Sequence, residues 1–198
     1  MAGRNRGFGR WIHILVDICL IAVIVLVLCA AKPTAALGTD EDARAFQDKL
    51  EALQQRIESG ERFEQSVDEK ELNAYLAAKV ERTRQAADAG GLNVDIDSLS
   101  VTLDEQGFVF LVVTRWRWQR VGKRISCEVR GVPRVTAGVF RIDITGSRVG
   151  RLPLPGPGAE WMASKIGTVF AQSGREREIL GSLSAIELHK GQAVLRVN

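Results

Sequence analysis

Phe108-Val109-Phe110-Leu111-Val112-Val113-Thr114-Arg115-Trp116-Arg117-Trp118-Gln119-Arg120 changes character half-way along. Side chains alternate across a strand, so Phe108, Phe110, Val112, Thr114, Trp116 and Trp118 share one face. The other face starts with Val109, Leu111 and Val113 and ends with Arg115, Arg117 and Gln119. Such a strand is covered on both sides at its start and on one side at its end.

The period of two extends in both directions. Upstream, Val94 and Ile96, then Val101 and Leu103, alternate with polar residues before an Asp104-Glu105-Gln106-Gly107 turn. Downstream, Val121-Gly122-Lys123 reads as a turn into Arg124 to Val132, where Ile125, Cys127 and Val129 alternate with polar residues. After Pro133 and a Thr136-Ala137-Gly138 turn, Val139 to Thr145 forms a further strand. Gly146-Ser147 turns the chain again, and the prolines of Leu152-Pro153-Leu154-Pro155 suit an edge strand that can spare backbone donors. Loops this short imply an antiparallel meander.

Before Gly91 the period is 3.6. Thr39 is an N-cap followed by Asp40, Glu41 and Asp42, and Ala43, Phe46, Leu50, Leu53 and Ile57 make one apolar seam on a helix ending near Ser59-Gly60. A seam of so few turns favours docking on its own domain over coiled-coil pairing with a second copy. Arg62 to Val67 is extended. Asp68 and Glu71 then make a capping box for a second helix with Leu72, Tyr75, Leu76, Lys79, Val80 and Thr83 on one face. Beyond the meander, Ala159 to about Gln172 reads as an amphipathic helix, Arg175 to His189 as a further helix and Gln192 to Val197 as a closing strand. The expected class is α+β: an antiparallel sheet of four to six strands packed with N- and C-terminal helices.

Trp11 to Ala31, WIHILVDICLIAVIVLVLCAA, contains 21 residues, and about 20 helical residues cross a bilayer core. Arg4, Arg6 and Arg10 precede it, whereas Asp40-Glu41-Asp42 follow soon after. That bias puts the N-terminus in the cytoplasm and the rest outside, across the plasma (inner) membrane. The run exceeds the apolar core of a secretory signal, which favours a retained single-pass anchor; cleavage after Ala31 or Ala36 stays as the alternative. The expected organisation is a basic N-terminus (1–10), a transmembrane helix (11–31), a linker (32–38) and one extracytoplasmic domain (39–198).

Ser66 to Leu76, with its short strand, cap and Glu71-Leu72-Asn73, resembles the opening of the YpmS-like group of membrane-anchored extracytoplasmic domains. Gly150-Arg151-Leu152-Pro153-Leu154-Pro155 is similar to the same family. The resemblance implies one N-terminal span carrying a curved α+β domain of a kind compared with lipid-binding tubular folds.

Chemistry-bearing motifs are sparse. Cys19 and Cys29 fall in the apolar run, leaving Cys127 as a small buried hydrophobe in a strand rather than a nucleophile. His189 has no serine or cysteine motif around it, and Asp95-x-Asp97 lacks the other ligands of a calcium loop, so it reads as polar residues on an exposed strand face. No catalytic residue, metal or cofactor is expected, and the chain is read as non-enzymatic. Charge is uneven: 17 acidic and 8 basic residues lie between Thr39 and Gln106, whereas 10 basic and 2 acidic lie between Arg115 and Arg151. Because arginines and tryptophans of Arg115 to Trp118 alternate between faces, they make no nucleic-acid platform.

The candidate surface for a ligand or partner comprises Arg115, Trp116, Arg117, Trp118, Arg124, Trp161 and Phe170. In one reading the arginines attract anionic head groups while the aromatics line an apolar groove for a lipid or other amphiphile. In the other, the arginine face or the Ala43 to Ile57 seam binds a membrane-protein partner or a second copy. The plain alternative is a half-buried sheet whose tryptophans pack in the core.

Overall fold

The computed structural model describes residues 18–23, 25–27, 38–86, 94–118, 121–136, 139–154, 156–160 and 174–197. Within them the elements follow as α1 (Asp40–Ser59), β1 (Phe63–Asp68), α2 (Glu69–Ala86), β2 (Val94–Asp104), β3 (Gly107–Trp118), β4 (Val121–Thr136), β5 (Val139–Val149), β6 (Leu152–Pro153), α3 (Gly174–Ser182), β7 (Ala185–His189) and β8 (Gln192–Val197). The fold is α+β, with antiparallel sheets and helices.

Local chemistry sets the ends of α1. Thr39 Oγ1 accepts from the Asp42 N–H at 3.3 Å while the Thr39 N–H donates to Asp42 Oδ2 at 2.6 Å, closing a capping box. These bonds, the backbone one first, hold the Asp42 carboxyl below its usual range. At the other end Gly60 turns left-handed (φ 70°) and its N–H meets the Ile57 carbonyl at 3.1 Å. The seam is filled by the chain's own core: Leu53 packs with Ile179, Leu183 and Val197, while Phe46 packs with Val67 and Tyr75. The seam thus docks on the chain's own domain.

Two sheets form, not one. The meander β2-β3-β4-β5-β6 is five-stranded; β1, β8 and β7 form a second sheet in which Phe63 pairs with Val197 and Asp68 with Gln192. The main core lies between the meander and α2, where Leu76 and Val80 meet Leu99, Val101, Leu103, Phe110, Val112, Cys127 and Val129, with Ala193 of β8 beside them.

Several boundaries differ from expectation, each for a physical reason. Gly146-Ser147 is not a turn: β5 runs through it, the ladder stepping from Arg130–Gly146 to Gly131–Ile144 with Thr145 inserted as a bulge. The real turn is Gly150-Arg151, between Val149 and Leu152. Strand β4 starts at Val121, since Trp118 pairs with Val121, so the expected Val121-Gly122-Lys123 turn is strand. It also continues through Pro133, which lies past Gly131, the last residue paired to β3, where a missing N–H costs no ladder bond on that side. The segment Arg175 to His189 divides into α3 and β7, because Lys190-Gly191 (φ 75° at Gly191) is a hairpin turn that pairs His189 with Gln192.

Residues 18–23 and 25–27 are helical, and among the described residues no helix is long and apolar enough to cross a membrane. The rest of Trp11 to Ala31 lies outside the described residues, as do 161–173, including Trp161 and Phe170 of the expected amphipathic helix.

Candidate functional site

The meander presents its core face to α2, and its opposite face is exposed at Arg124, Arg130, Arg134, Arg141 and Arg148 but buried at Ser100, Ser126 and Glu128. On β4, Cys127 and Val129 point into the core, so Ser126, Glu128 and Arg130 belong to the other face. Register then assembles that face: Arg115 lies opposite Arg124, Arg148 opposite Glu128, and Arg141 opposite Arg134. Like charges facing each other across a ladder repel. The chain offsets this with carboxylates placed between them.

Asp97 is the first of these. The β2–β3 ladder passes from Ile96–Thr114 to Ser98–Val113, leaving Asp97 as an inserted bulge residue. Its carboxylate takes a 2.5 Å bond from Arg115 Nη2 and a 2.7 Å contact from Arg124 Nε, with its side chain only 11% exposed. Asp97 is therefore not an exposed polar strand residue, as its sequence context suggests, but the ion that lets Arg115 and Arg124 stand side by side. Glu128 is the second: Oε1 accepts from Arg130 Nε at 2.9 Å and Oε2 from Arg148 Nε at 2.8 Å, the carboxylate itself buried. Asp143 pairs with Arg134 at 2.6 Å as the third.

Six arginines (115, 124, 130, 134, 141 and 148) thus share one sheet face, on which Asp97, Glu128 and Asp143 pair with five of them. Carboxylates accepting from two arginines hold the guanidinium planes in fixed orientation. The result is an ordered basic stripe along β4. Of the sequence-derived candidates, the structure brings Arg115 and Arg124 together on this stripe. Trp116, Arg117 and Trp118 continue β3, in register with Lys123, Gly122 and Val121, while their side chains, like Trp161 and Phe170, fall outside what is described. The stripe residues Arg130, Arg134, Arg141 and Arg148 were not among the candidates, although their alternation with Val129, Val135, Ile142 and Val149 carried the signal.

A second polar cluster lies inside. Tyr75 Oη donates to Glu176 Oε1 and Lys79 Nζ to Glu176 Oε2, all three residues buried, with Lys79 Nζ 5.8 Å from the Tyr75 ring centroid and Phe46 stacked 4.8 Å from the same ring. A carboxylate held by a phenol and an ammonium beneath α1 is a structural tie between α2 and α3, not a solvent-facing acid or base. Burial likewise pushes the Cys127 thiol up to about 11, consistent with an inert core cysteine. His189 is exposed at the β7–β8 turn.

No protein-family model matches the chain, and comparison with curated proteins finds no match.

Proposed function

We propose that this chain is a single-pass membrane protein whose extracytoplasmic α+β domain is a non-enzymatic binding module for an anionic amphiphile, of which a lipid is the simplest kind. One observation carries the reading. Ile18, Leu20, Ile21, Val23 and Val25 are 46–60% exposed on a helical stretch, and they are the exposed large hydrophobics among the described residues. An apolar helix exposed at residues 18–23 and 25 is stable in lipid and a liability in water. The run Trp11 to Ala31 to which they belong has the length of a bilayer crossing.

The arginine stripe supports the ligand class. Guanidinium groups already paired with carboxylates bind phosphate or carboxylate head groups with little further ordering. The same stripe suits an acidic surface on a membrane-protein partner, the second reading. Homodimerisation through the α1 seam has less to recommend it, since that seam packs on α3 and β8.

The test has two parts. Alkaline carbonate washing of membranes expressing the full chain is expected to leave it in the pellet, with externally added protease digesting the domain; release by carbonate, or a mature N-terminus after Ala31 or Ala36, overturns the anchor. For the ligand, native mass spectrometry of the full chain in detergent is expected to retain anionic phospholipid, and Arg130→Glu with Arg134→Glu to lose it. Equal retention by both proteins, or none by either, overturns the amphiphile reading and turns attention to the acidic partner.

A further inference from the structure

The outer face of the meander groups its arginines by twos. Arg115 and Arg124 meet on Asp97, Arg130 and Arg148 meet on Glu128, and Arg134 stands opposite Arg141 while pairing with Asp143. In each group the β4 arginine reaches its carboxylate through Nε: Arg124 at 2.7 Å, Arg130 at 2.9 Å and Arg134 at 2.6 Å. Nε is the inner edge of a guanidinium that carries five N–H donors, so the outer amino groups keep donors for another anion. These three side chains are 64, 58 and 68% exposed, whereas those of Asp97 and Glu128 are only 11 and 9% exposed. An anion approaching either of those two groups therefore meets guanidinium before carboxylate.

Spacing decides what kind of anion fits. Along β4 the groups are centred on Arg124, Arg130 and Arg134, separations of about 20 Å and about 13 Å at strand rise. A phosphate or carboxylate can accept from one group and is too small to reach the next. The other side of the molecule carries the opposite sign. There α1 lies on α2 through the Phe46–Tyr75 ring contact and the Lys49–Glu71 pair, with α2 between it and the meander, and Glu41, Asp48, Glu51 and Glu58 are exposed on it.

From this spacing and asymmetry we infer that the arginine face is the docking surface for an anionic bilayer, engaging several head groups at once rather than one extracted amphiphile. The inference rests on the anchored, anionic-lipid reading proposed above and names the form in which the lipid is met. Residues 32–38 join the span to the domain, and seven residues reach at most about 25 Å. Lipid head groups are thus the anions always at hand, at the high effective concentration that a short tether creates. One exposed arginine group is a weak contact, whereas several held on one plane act together. The field of a domain positive on one face and negative on the other turns the arginine face towards an anionic plane, and salt screens that attraction.

The experiment uses the full chain, with Cys19→Ser, Cys29→Ser and Cys127→Ala, in nanodiscs of phosphatidylcholine in which phosphatidylglycerol is raised from none to half of the lipid. A fluorophore is attached at Ser98→Cys, exposed on the arginine face opposite Val113, or separately at Asp48→Cys on α1. Quenching by head-group-labelled lipid is then measured. At half phosphatidylglycerol, quenching at 98 is expected to exceed that at 48, and the difference is expected to disappear in phosphatidylcholine alone, in high salt, and in the Arg130→Glu, Arg134→Glu variant. Its rise with phosphatidylglycerol is expected to be steeper than proportional, because several head groups must be met together. Equal quenching at the two sites, or a difference indifferent to phosphatidylglycerol, overturns the bilayer-docked face in a protein that is still anchored. If lipid is nevertheless retained in detergent, a single-head-group ligand is the surviving form of the amphiphile reading. Failure to enter the disc overturns the anchor and this inference with it.

Discussion

At the scale of single residues, the buried thiol of Cys127 makes a clean pH probe. An unfolded cysteine ionises near 9.0 and the folded one near 11, so the native state holds its proton where the unfolded state has lost it. Stability from this group is complete below about pH 9 and falls away as pH rises towards 11. The urea midpoint of the native protein is expected to decline faster over that range than that of Cys127→Ala, whose own lower midpoint reflects the lost side chain. Thiol labelling in a Cys19→Ser, Cys29→Ser background at pH 8 is expected to be slow until denaturant is added. A rapid native reaction would show that Cys127 is accessible. Cys127 was legible from sequence, because a lone cysteine alternating with Ile125 and Val129 is a core position. Asp97 was not read, although its signal was present: apolar residues occupy even positions at Val94 and Ile96 and odd ones at Leu99, Val101 and Leu103. That switch of parity is a bulge written in sequence, and it re-aims the carboxylate that joins Arg115 to Arg124.

At the scale of elements, α2 is fastened to the free edge of β2. Asn73 Nδ2 donates to the Val101 carbonyl at 2.9 Å and the Val101 N–H donates to Asn73 Oδ1 at 2.7 Å; nearby, Glu69 Oε2 accepts from the Leu103 N–H at 2.9 Å. A side-chain amide thus replaces the missing neighbour strand on an edge that would otherwise invite pairing with another chain. Asn73→Ala leaves two buried backbone groups of Val101 without these bonds, at a cost of about 3 kcal/mol. Denaturation would read that cost, and amide exchange at Val101 is expected to accelerate more than exchange in β4. Unchanged exchange at Val101 would mean the edge is protected by something else. This gives Glu71-Leu72-Asn73 a structural purpose: Glu71 bonds Lys49 Nζ at 2.6 Å and the Asp68 N–H at 3.1 Å, Leu72 packs on the core, and Asn73 seals the edge. Both N-terminal helices and the β2–β3 turn were readable because caps and periods are local. The second sheet was not, because β1 and β8 are separated by most of the domain, and alternation in Gln192 to Val197 does not name its partner. The parity rule that hides Asp97 also hides the continuity of β5, where Ile142 and Ile144 give way to Val149.

At the scale of the whole molecule, Glu176 draws α3 onto α2 through Tyr75 and Lys79. Removing one partner strands a buried charge, so Lys79→Met or Glu176→Leu alone is expected to cost about 3–5 kcal/mol. Tyr75→Phe, Lys79→Met and Glu176→Leu together remove the polar set at once, and thermal unfolding should recover most of the loss. If the triple replacement is as damaged as the singles, the cluster contributes through shape rather than charge.

The pairing of Phe63 with Val197 and Asp68 with Gln192 also sets a schedule for biogenesis. Strand β1 is synthesised early and its partner late, and between them lies the entire meander. A nascent chain must keep β1 and the face of α1 that packs on Val197 uncovered until β8 arrives. During that interval an unpaired strand edge and an open apolar surface wait uncovered, the kind of exposure that chaperones and quality-control proteases survey. Completion of the second sheet therefore waits on the synthesis of β8.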